Sequence, residues 1–186
     1  MAKYGLETAR CRLRPPRPDD LDEWASKLFA DPDVMRYMPK RVMTPRENAE
    51  RALRSSDQSW STRNHGGWAI LDQSDGQIIG RCGLEYLEAT DEVELGYGLA
   101  RAVWGKGIAT EVVRACVRFG FESASLKTIV AVVVPENIAS WRVLEHVGFV
   151  FEKTAVYYDL DVIYYSIIAE QFQYGDSFYR ARLLDE

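Results

Sequence analysis

The chain places a predicted strand, a glycine-containing loop and the start of a helix in direct succession, and this order constrains its fold most. The predicted strand covers residues 93–99, and the loop and helix start cover residues 104–111, Trp-Gly-Lys-Gly-Ile-Ala-Thr-Glu. The first turn of a helix has unpaired backbone N–H groups and the positive end of the helix dipole, so it attracts anions such as pyrophosphate. Because glycine has no Cβ, it lets a phosphate approach the backbone closely. The succession therefore predicts a loop that binds a phosphorylated cofactor.

Two other phosphate-binding patterns, and a turn without a ligand, compete for the same residues. A P-loop requires G-x-x-x-x-G-K-[ST], and neither Lys106 nor Thr110 stands at the required place. A dinucleotide fingerprint requires a third glycine where this chain has Thr110. A tight strand-to-helix turn that binds nothing also fits, and the loop taken alone leaves that alternative open.

The sequence that follows makes the pattern more specific. Residues 128–134 are apolar and mostly β-branched, as expected for a strand that is buried on both faces. The next segment has the pattern of a helix that is capped by Asn137 and ended by Gly148. A second strand-loop-helix unit is therefore predicted directly after the first.

Two motifs carry a family resemblance, and they are Trp104-x-x-Gly107-x-Ala109 and Asn137-x-x-Ser140-x-x-Val143-Leu144-x-x-x-Gly148-Phe149. With the helix between them, residues 93–149 resemble the acetyl-CoA-binding core of the GNAT superfamily of N-acetyltransferases. Residues 6–14, 19–20 and 31–37 are similar to the N-terminal region of the RimJ/RimL-like branch. That branch includes enzymes that acetylate the α-amino groups of ribosomal proteins, and relatives that act on small molecules.

The resemblance implies acetyl-CoA as co-substrate and indicates the residues that hold it. The backbone N–H groups expected to bind the pyrophosphate are those of Gly105, Lys106, Gly107, Ile108, Ala109 and Thr110. The backbone of Leu99 is expected to hydrogen-bond the pantetheine arm, and Asn137 both to cap its helix and to contact the pantetheine amide. Trp104 stands where much of the superfamily has glutamine or arginine, so the expected pyrophosphate contacts are those of the backbone.

The resemblance also implies two catalytic side chains. Glu94, in the strand before the loop, is expected to act as the base for the attacking amine, through a water molecule. Glu92 lies on the same face of that strand by alternation, so either carboxylate fits the role, and Glu94 also fits a structural ion pair. Ser140 fits either a hydroxyl near the sulfur of CoA or one that completes the start of its helix.

The order of elements predicts a single α/β (α+β) domain of the GNAT type, with a central mixed, mostly antiparallel, twisted sheet flanked by helices. Predicted helices begin at Asp19 or Asp20, at Thr44, at Gly107 and at Asn137, and predicted strands cover residues 10–14, 67–72, 77–84, 92–99, 128–134, 150–158 and 161–170. The large side chains of the loop at 32–43 either cover a substrate site or pack against the domain. The domain is predicted to cover residues 1–171, followed at 172–186 by a tail that is either flexible or docked on the body or on a partner subunit.

Composition excludes several other classes of protein. The 186 residues are 47% hydrophobic and 27% charged, which suits a single core. A net charge of -5 without a basic cluster argues against a nucleic-acid partner. No apolar run approaches the roughly 20 residues of a membrane span, and residues 1–5 lack a signal-peptide core, which predicts a cytoplasmic protein. The three cysteines, Cys11, Cys82 and Cys116, are widely spaced and predict packing roles rather than disulfides or a metal site.

The predicted function is therefore transfer of the acetyl group of acetyl-CoA to a primary amine, by direct attack in a ternary complex. The acceptor is either a protein N-terminal α-amine or a small-molecule amine, and the chain is compatible with a homodimer. The alternative is a non-catalytic CoA-binding module of the same fold.

Overall fold

The computed structural model describes residues 2–39, 42–88 and 90–184, and the strands within these ranges form one sheet. In chain order they are β1 (Lys3–Thr8), β2 (Cys11–Arg14), β3 (Gly67–Asp72), β4 (Ile78–Leu87), β5 (Glu92–Leu99), β6 (Thr128–Val133), β7 (Val150–Tyr157), β8 (Leu160–Ile168) and β9 (Tyr179–Leu184). Their spatial order is β7-β8-β6-β5-β4-β3-β2-β1-β9. Neighbouring strands are antiparallel except β5 and β6, which are parallel. The predicted fold class, a mixed and mostly antiparallel sheet flanked by helices, is confirmed.

The helices that flank the sheet begin where the local sequence predicts, with one exception, and the short α2 lies in the segment at 32–43 that was predicted to be a loop. They are α1 (Leu21–Trp24), continued by a π-helical turn (Ala25–Phe29), α2 (Pro32–Met35), α3 (Pro45–Thr62), α4 (Ile108–Glu122) and α5 (Ile138–Val147). The start of α3 is a capping box, in which Thr44 Oγ1 accepts from the Glu47 N–H and the Glu47 carboxylate accepts from the Thr44 N–H. Gly148 ends α5 at φ 112°, a left-handed conformation that favours glycine. None of the helices in the described ranges has the length and apolar character needed to cross a bilayer.

The exception is the first helix, which was predicted to run without interruption from Asp19 or Asp20. A short 3₁₀ turn over Pro18–Asp20 precedes α1, and the chain then widens into the π-helical turn. The Asp20 carboxylate accepts from both terminal nitrogens of Arg14, at 2.7 Å each, and from the Arg17 N–H at 2.7 Å. Because these contacts occupy the carboxylate, Asp20 stabilises the turn and does not cap α1.

Two buried clusters lie on opposite sides of β3, as the alternation of a strand requires. Trp68 and Ile70 belong to the larger cluster, which includes the buried residues of α4, whereas Ala69 belongs to the smaller one, with α1 and the N-terminal half of α3. The rings of Trp68 and Phe119 in the larger cluster meet edge to face, with centroids 5.1 Å apart. The sheet therefore lies between two helical layers, and α4 packs on the side of the larger cluster.

The two strands at one edge of the sheet, β1 and β9, were not predicted. They pair from Lys3↔Leu184 to Thr8↔Tyr179, so the segment that starts at residue 172 contributes a strand to the body of the protein. Phe172, the first residue of the predicted tail, is buried. Residues 185–186 of that tail lie outside the described residues, as do residue 1 and residues 40–41 of the loop at 32–43. The boundary at residue 171 stays a prediction.

The three cysteines are predicted to be unreactive in the folded protein. All three are buried, and Cys116 donates to Cys82 with the sulfurs 3.1 Å apart. Burial raises the pKa of Cys11 to about 11, with a further contribution from Glu111, and burial and the contact with Cys82 raise the pKa of Cys116. Since the thiolate is the reactive form, a chromogenic disulfide reagent at pH 8 should detect no fast thiol in the native state and three in guanidinium chloride. A rapidly reacting thiol in the native protein would contradict this packing.

Candidate active site

The strands β5 and β6 separate after a single paired position. Within the described residues, their parallel register contains only Glu94↔Val130, although both strands continue beyond it. β5 stays paired to β4 along its other edge from Glu92 to Leu99, and β6 stays paired to β8. A wedge-shaped opening therefore lies between β5 and β6, and it continues into a cleft whose lining includes Glu94, Asn137 and Ser140.

Backbone groups of β5 point into this opening. The Ala100 N–H donates to the Ile79 carbonyl at 2.8 Å, so even-numbered residues of β5 bond to β4. Because antiparallel ladders alternate, the N–H and C=O groups of the odd-numbered residues, including Tyr97 and Leu99, point the other way. The Leu99 carbonyl accepts from Trp104 Nε1 at 2.8 Å, which leaves the Leu99 N–H directed at the opening. Trp104 thus fixes the loop to the end of β5.

The glycine loop lies where β5 ends and α4 begins. Gly105 and Gly107 have φ of 71° and 76°, which favour glycine, and Gly107 is the N-cap of α4 without a side-chain cap. A Cβ built on Gly105 would meet nothing within 4 Å, so the space above the loop is open. The backbone of the loop and of the first turn, Gly105 to Thr110, therefore fits the diphosphate of a nucleotide-bearing cofactor, and the opening beside β5 fits an extended arm.

An ion pair from the N-terminal strands holds the loop in place. Arg10 donates from Nη1 to the Lys106 carbonyl at 2.7 Å and from Nε to Glu111 Oε2 at 2.7 Å. Glu111 also accepts from Thr8 Oγ1 at 2.6 Å and from the Arg10 N–H at 2.8 Å. Burial opposes ionisation of Glu111, but these hydrogen bonds outweigh it and hold its pKa below the ordinary value. Sequence analysis did not single out Thr8, Arg10 or Glu111, because about a hundred positions separate the partners and no local pattern links them.

Glu94 is half-buried in the wall of the cleft. Burial raises its pKa to about 7, against the opposing hydrogen bond from the Tyr158 hydroxyl, and Glu85 raises it further while Arg81 lowers it. Tyr158 reaches this position from the two-residue turn between β7 and β8, where it and Asp159 have φ of 55° and 59°. Positive φ at both residues is the geometry of a two-residue type I′ hairpin turn, which fixes the direction of the Tyr158 side chain. Sequence analysis missed Tyr158.

Glu92 has different surroundings although it lies on the same face of β5. It accepts from the Tyr157 hydroxyl at 3.0 Å and from the Tyr164 hydroxyl at 2.5 Å. Burial again opposes ionisation, but the hydrogen bonds from Tyr164, Thr90 and Tyr157 outweigh it, so the pKa of Glu92 lies below the ordinary value. Glu92 does not line the cleft, whereas Glu94 does.

A pair of hydroxyl groups, those of Tyr97 and Ser140, also lines the cleft. Ser140 Oγ and the Tyr97 hydroxyl are 2.9 Å apart, and burial raises the pKa of Tyr97 to about 12. The phenol therefore stays protonated at neutral pH and supplies a proton to the pair. Asn137 caps α5 by accepting from the Ser140 N–H at 3.3 Å, and its Nδ2 donates to no residue in the described parts of the chain. Tyr97 is a second functional residue that sequence analysis missed.

The segment after α2 covers the cleft. Met35, Tyr37 and Met38 line it, and Met38 Cε is 3.6 Å from a Cβ built on Gly98. Both alternatives for the loop at 32–43 keep support, since Tyr37 and Met38 line the cleft while Val34 and Met35 also pack against the smaller buried cluster. The structure thus brings Glu94, Asn137 and Ser140 into one cleft. The glycine loop follows the C-terminal end of β5, where β5 and β6 are separated.

Comparison with known proteins identifies relatives over most of the chain. Residues 10–150 match the acetyltransferase (GNAT) domain family. The protein YkkB of Bacillus subtilis (strain 168) is 35% identical over 160 residues, which cover 82% of this chain and 89% of YkkB. The acetyltransferase from Agrobacterium tumefaciens str. C58 has a TM-score of 0.78 and 26% identity, over 88% of this chain and 93% of its own. Mycobacterium smegmatis RimJ, solved in complex with CoA-disulfide, has the same fold, with a TM-score of 0.76, 24% identity and 91% and 88% of the two chains covered.

The variant Arg10→Ala tests the anchor of the glycine loop. It leaves the largely buried Glu111 carboxylate without its cation, which should lower the free energy of unfolding by about 1–3 kcal/mol in urea titrations at pH 7. Because the folded-state pKa of Glu111 is depressed, its stabilisation is present at neutral pH and is lost as the pH falls through that pKa, so the deficit should shrink in acid. Arg12→Ala, which removes an exposed arginine of β2, is the matched control. Equal losses in the two variants would rule out the anchor.

Proposed function

Because the chain belongs to the GNAT acetyltransferase family, we propose that it transfers the acetyl group of acetyl-CoA to a primary amine by direct attack in a ternary complex. The observation that carries this proposal is the position of Glu94, a half-buried carboxylate with a pKa of about 7 in the cleft at the opening between β5 and β6. Acetyl-CoA supplies the thioester that the amine attacks, and family members use it as their acetyl donor.

The cofactor-binding roles follow from the backbone groups around the opening. The N–H groups from Gly105 to Thr110 bind the pyrophosphate, because the loop is open above Gly105 and α4 has no side-chain cap. The Leu99 N–H and the backbone of Tyr97 pair with the extended pantetheine arm as a further strand would. Asn137 donates from Nδ2 to the same arm while its Oδ1 caps α5.

Glu94 is the general base in this proposal. An amine attacks only when it is neutral, so the carboxylate must accept a proton, directly or through one water molecule. A base with a pKa of about 7 combines a substantial ionised fraction at neutral pH with useful basicity. Glu92 stays ionised by its tyrosine hydrogen bonds and has the lower basicity, so it is the weaker candidate.

The hydroxyl groups of Ser140 and Tyr97 stabilise the departing sulfur of CoA by hydrogen bonding. The nitrogen–carbon bond forms as the carbon–sulfur bond breaks, Glu94 takes the proton from nitrogen, and the Ser140 hydroxyl donates towards the thiolate. Tyr97 donates to Ser140 at 2.9 Å and so orients that hydroxyl. Ser140 keeps its own proton, the thiolate takes one up from solvent and Glu94 returns its proton to solvent, so the products are an N-acetylated amine and CoA as the free thiol.

The proposal is tested by amine-dependent thiol release from acetyl-CoA. Glu94→Gln should lower kcat/KM by about 10²–10⁴-fold, whereas Glu92→Gln should lower it much less. In the wild type, the pH profile of kcat/KM should contain a rising limb with its midpoint near pH 7, because only ionised Glu94 accepts a proton. Deprotonation of the amine adds a second rise at higher pH. The first limb should be absent in Glu94→Gln, while the titration of the amine itself remains in both proteins.

Two outcomes would contradict this function. One is binding of CoA in calorimetry without thiol release from any member of a panel of amines and N-terminal peptides. The other is an unchanged acid limb in Glu94→Gln, which would assign the base elsewhere.

Removal of either hydroxyl of the pair tests the role in thiol departure. Ser140→Ala and Tyr97→Phe should each lower kcat by up to about tenfold, the worth of one hydrogen bond, with little change in the dissociation constant of CoA. Ser61→Ala, on the exposed face of α3, serves as control. An effect confined to CoA binding would instead indicate a positioning role at the start of α5.

A further inference from the structure

Arg81 on β4 is a largely buried cation whose hydrogen-bonding capacity is not used. Its side chain is 19% exposed and lines the cleft beside Glu94. Among the described residues it donates no hydrogen bond; its Nη1 lies 3.8 Å from Glu85 Oε1, beyond hydrogen-bond distance, and its Cζ lies 5.7 Å from the centroid of Phe29. Arg81 thus forms an ion pair with Glu85 and lies over the Phe29 ring, but its five donors make no hydrogen bond to the described residues. Such a group suits a carboxylate that arrives with a ligand.

The register of β4 and β5 places this cation next to the proposed base. Glu85 lies directly opposite Glu94, and Arg81 lies directly opposite Gly98. Between them Gly96 faces open space, since a Cβ built there would meet nothing within 4 Å. On this face of β4 and β5, the two carboxylates of Glu85 and Glu94 are thus followed by the open space at Gly96. The Arg81 side chain extends from beyond that space towards Glu85.

This arrangement matches the charges of a small zwitterion. Like charges directly opposite each other on two strands are unfavourable, so Glu85 and Glu94 together favour a cation between them. The Arg81 fork favours a planar anion that accepts two parallel hydrogen bonds. The gap of 3.8 Å between Arg81 and Glu85 means that the cationic and anionic groups of the ligand must be close together.

We propose that the acceptor is a free amino acid, whose amine lies at Glu94 and Glu85 and whose carboxylate pairs with Arg81. This inference rests on the proposed acetyltransferase function and specifies its substrate class. The side chains of Met35, Tyr37 and Met38 line the cleft and provide an apolar surface for the side chain of the amino acid.

The test compares acceptors that differ at the carboxylate, with kcat/KM expressed per neutral amine, because amidation also lowers the pKa of the α-amine. Free α-amino acids, their carboxamides and tripeptides with the same N-terminal residue are each offered with acetyl-CoA, and CoA thiol release is measured. The free amino acids should have the higher kcat/KM, by about tenfold to a hundredfold, as expected for a hydrogen-bonded charge pair. Equal or better turnover of carboxamides or tripeptides would overturn the inference and leave the acetyltransferase function intact. The absence of turnover with every acceptor would overturn both.

Variants of Arg81 identify the group that recognises the carboxylate. Arg81→Gln should raise KM for the free amino acid and bring the ratio of amino acid to carboxamide close to one, and Arg81→Lys should recover part of that ratio. Arg54→Gln, which removes an exposed arginine of α3 outside the cleft, should keep the wild-type ratio. An unchanged ratio in Arg81→Gln would overturn the assignment. If that variant does not fold, the acceptor comparison with the wild type still decides the substrate class.

Discussion

The separation of β5 and β6 is the constraint on which the rest of the site depends. Each strand is fully paired along its other edge, β5 with β4 and β6 with β8, so neither can move to close the gap without breaking a ladder. Backbone donors and acceptors that face the opening need partners, and water or a ligand must supply them. The sheet thus maintains a polar slot between two otherwise ordinary strands, and the glycine loop and the start of α5 lie at its borders.

The loop at one border is held before any ligand arrives. Arg10 and Thr8 meet Glu111 in the first turn of α4, and the Trp104 indole bonds the end of β5. A loop fixed in this way loses little conformational entropy on binding, which favours affinity for the cofactor. The N-terminal strands therefore contribute to the cofactor site although they are distant from it in sequence.

Burial and hydrogen bonding give different pKa values to Glu92 and Glu94, two glutamates that the strand pattern cannot distinguish. Hydrogen bonds from tyrosines on β7 and β8 keep Glu92 ionised, while desolvation in the cleft brings Glu94 to a pKa of about 7. The hairpin of β7 and β8 supplies Tyr158 to one carboxylate and Tyr157 and Tyr164 to the other. Desolvation of Glu94 and the tyrosine hydrogen bonds to Glu92 thus separate a candidate base from a structural carboxylate.

The sequence alone determined the parts of this protein that depend on neighbouring residues. The capping box at Thr44, the cap at Asn137, the left-handed Gly148 and the apolar strand at 128–133 are local patterns, and each element begins or ends close to the predicted place. The family motifs likewise lie within short segments. The edge strand β9 escaped prediction because its mostly exposed residues show no burial pattern and because it pairs with β1 across the whole length of the chain. The strand β1 also escaped prediction, although it is an interior strand with Leu6 and Thr8 buried.

Only the tertiary structure decided which side chains share the cleft and in what charge state. Arg81 comes from β4 and Tyr158 from the turn between β7 and β8, and no spacing in the sequence links either of them to Glu94 on β5. A pKa, an ion pair or an unused donor depends on desolvation and on groups brought close by folding. Those quantities exist only once segments that are far apart in the chain are packed together.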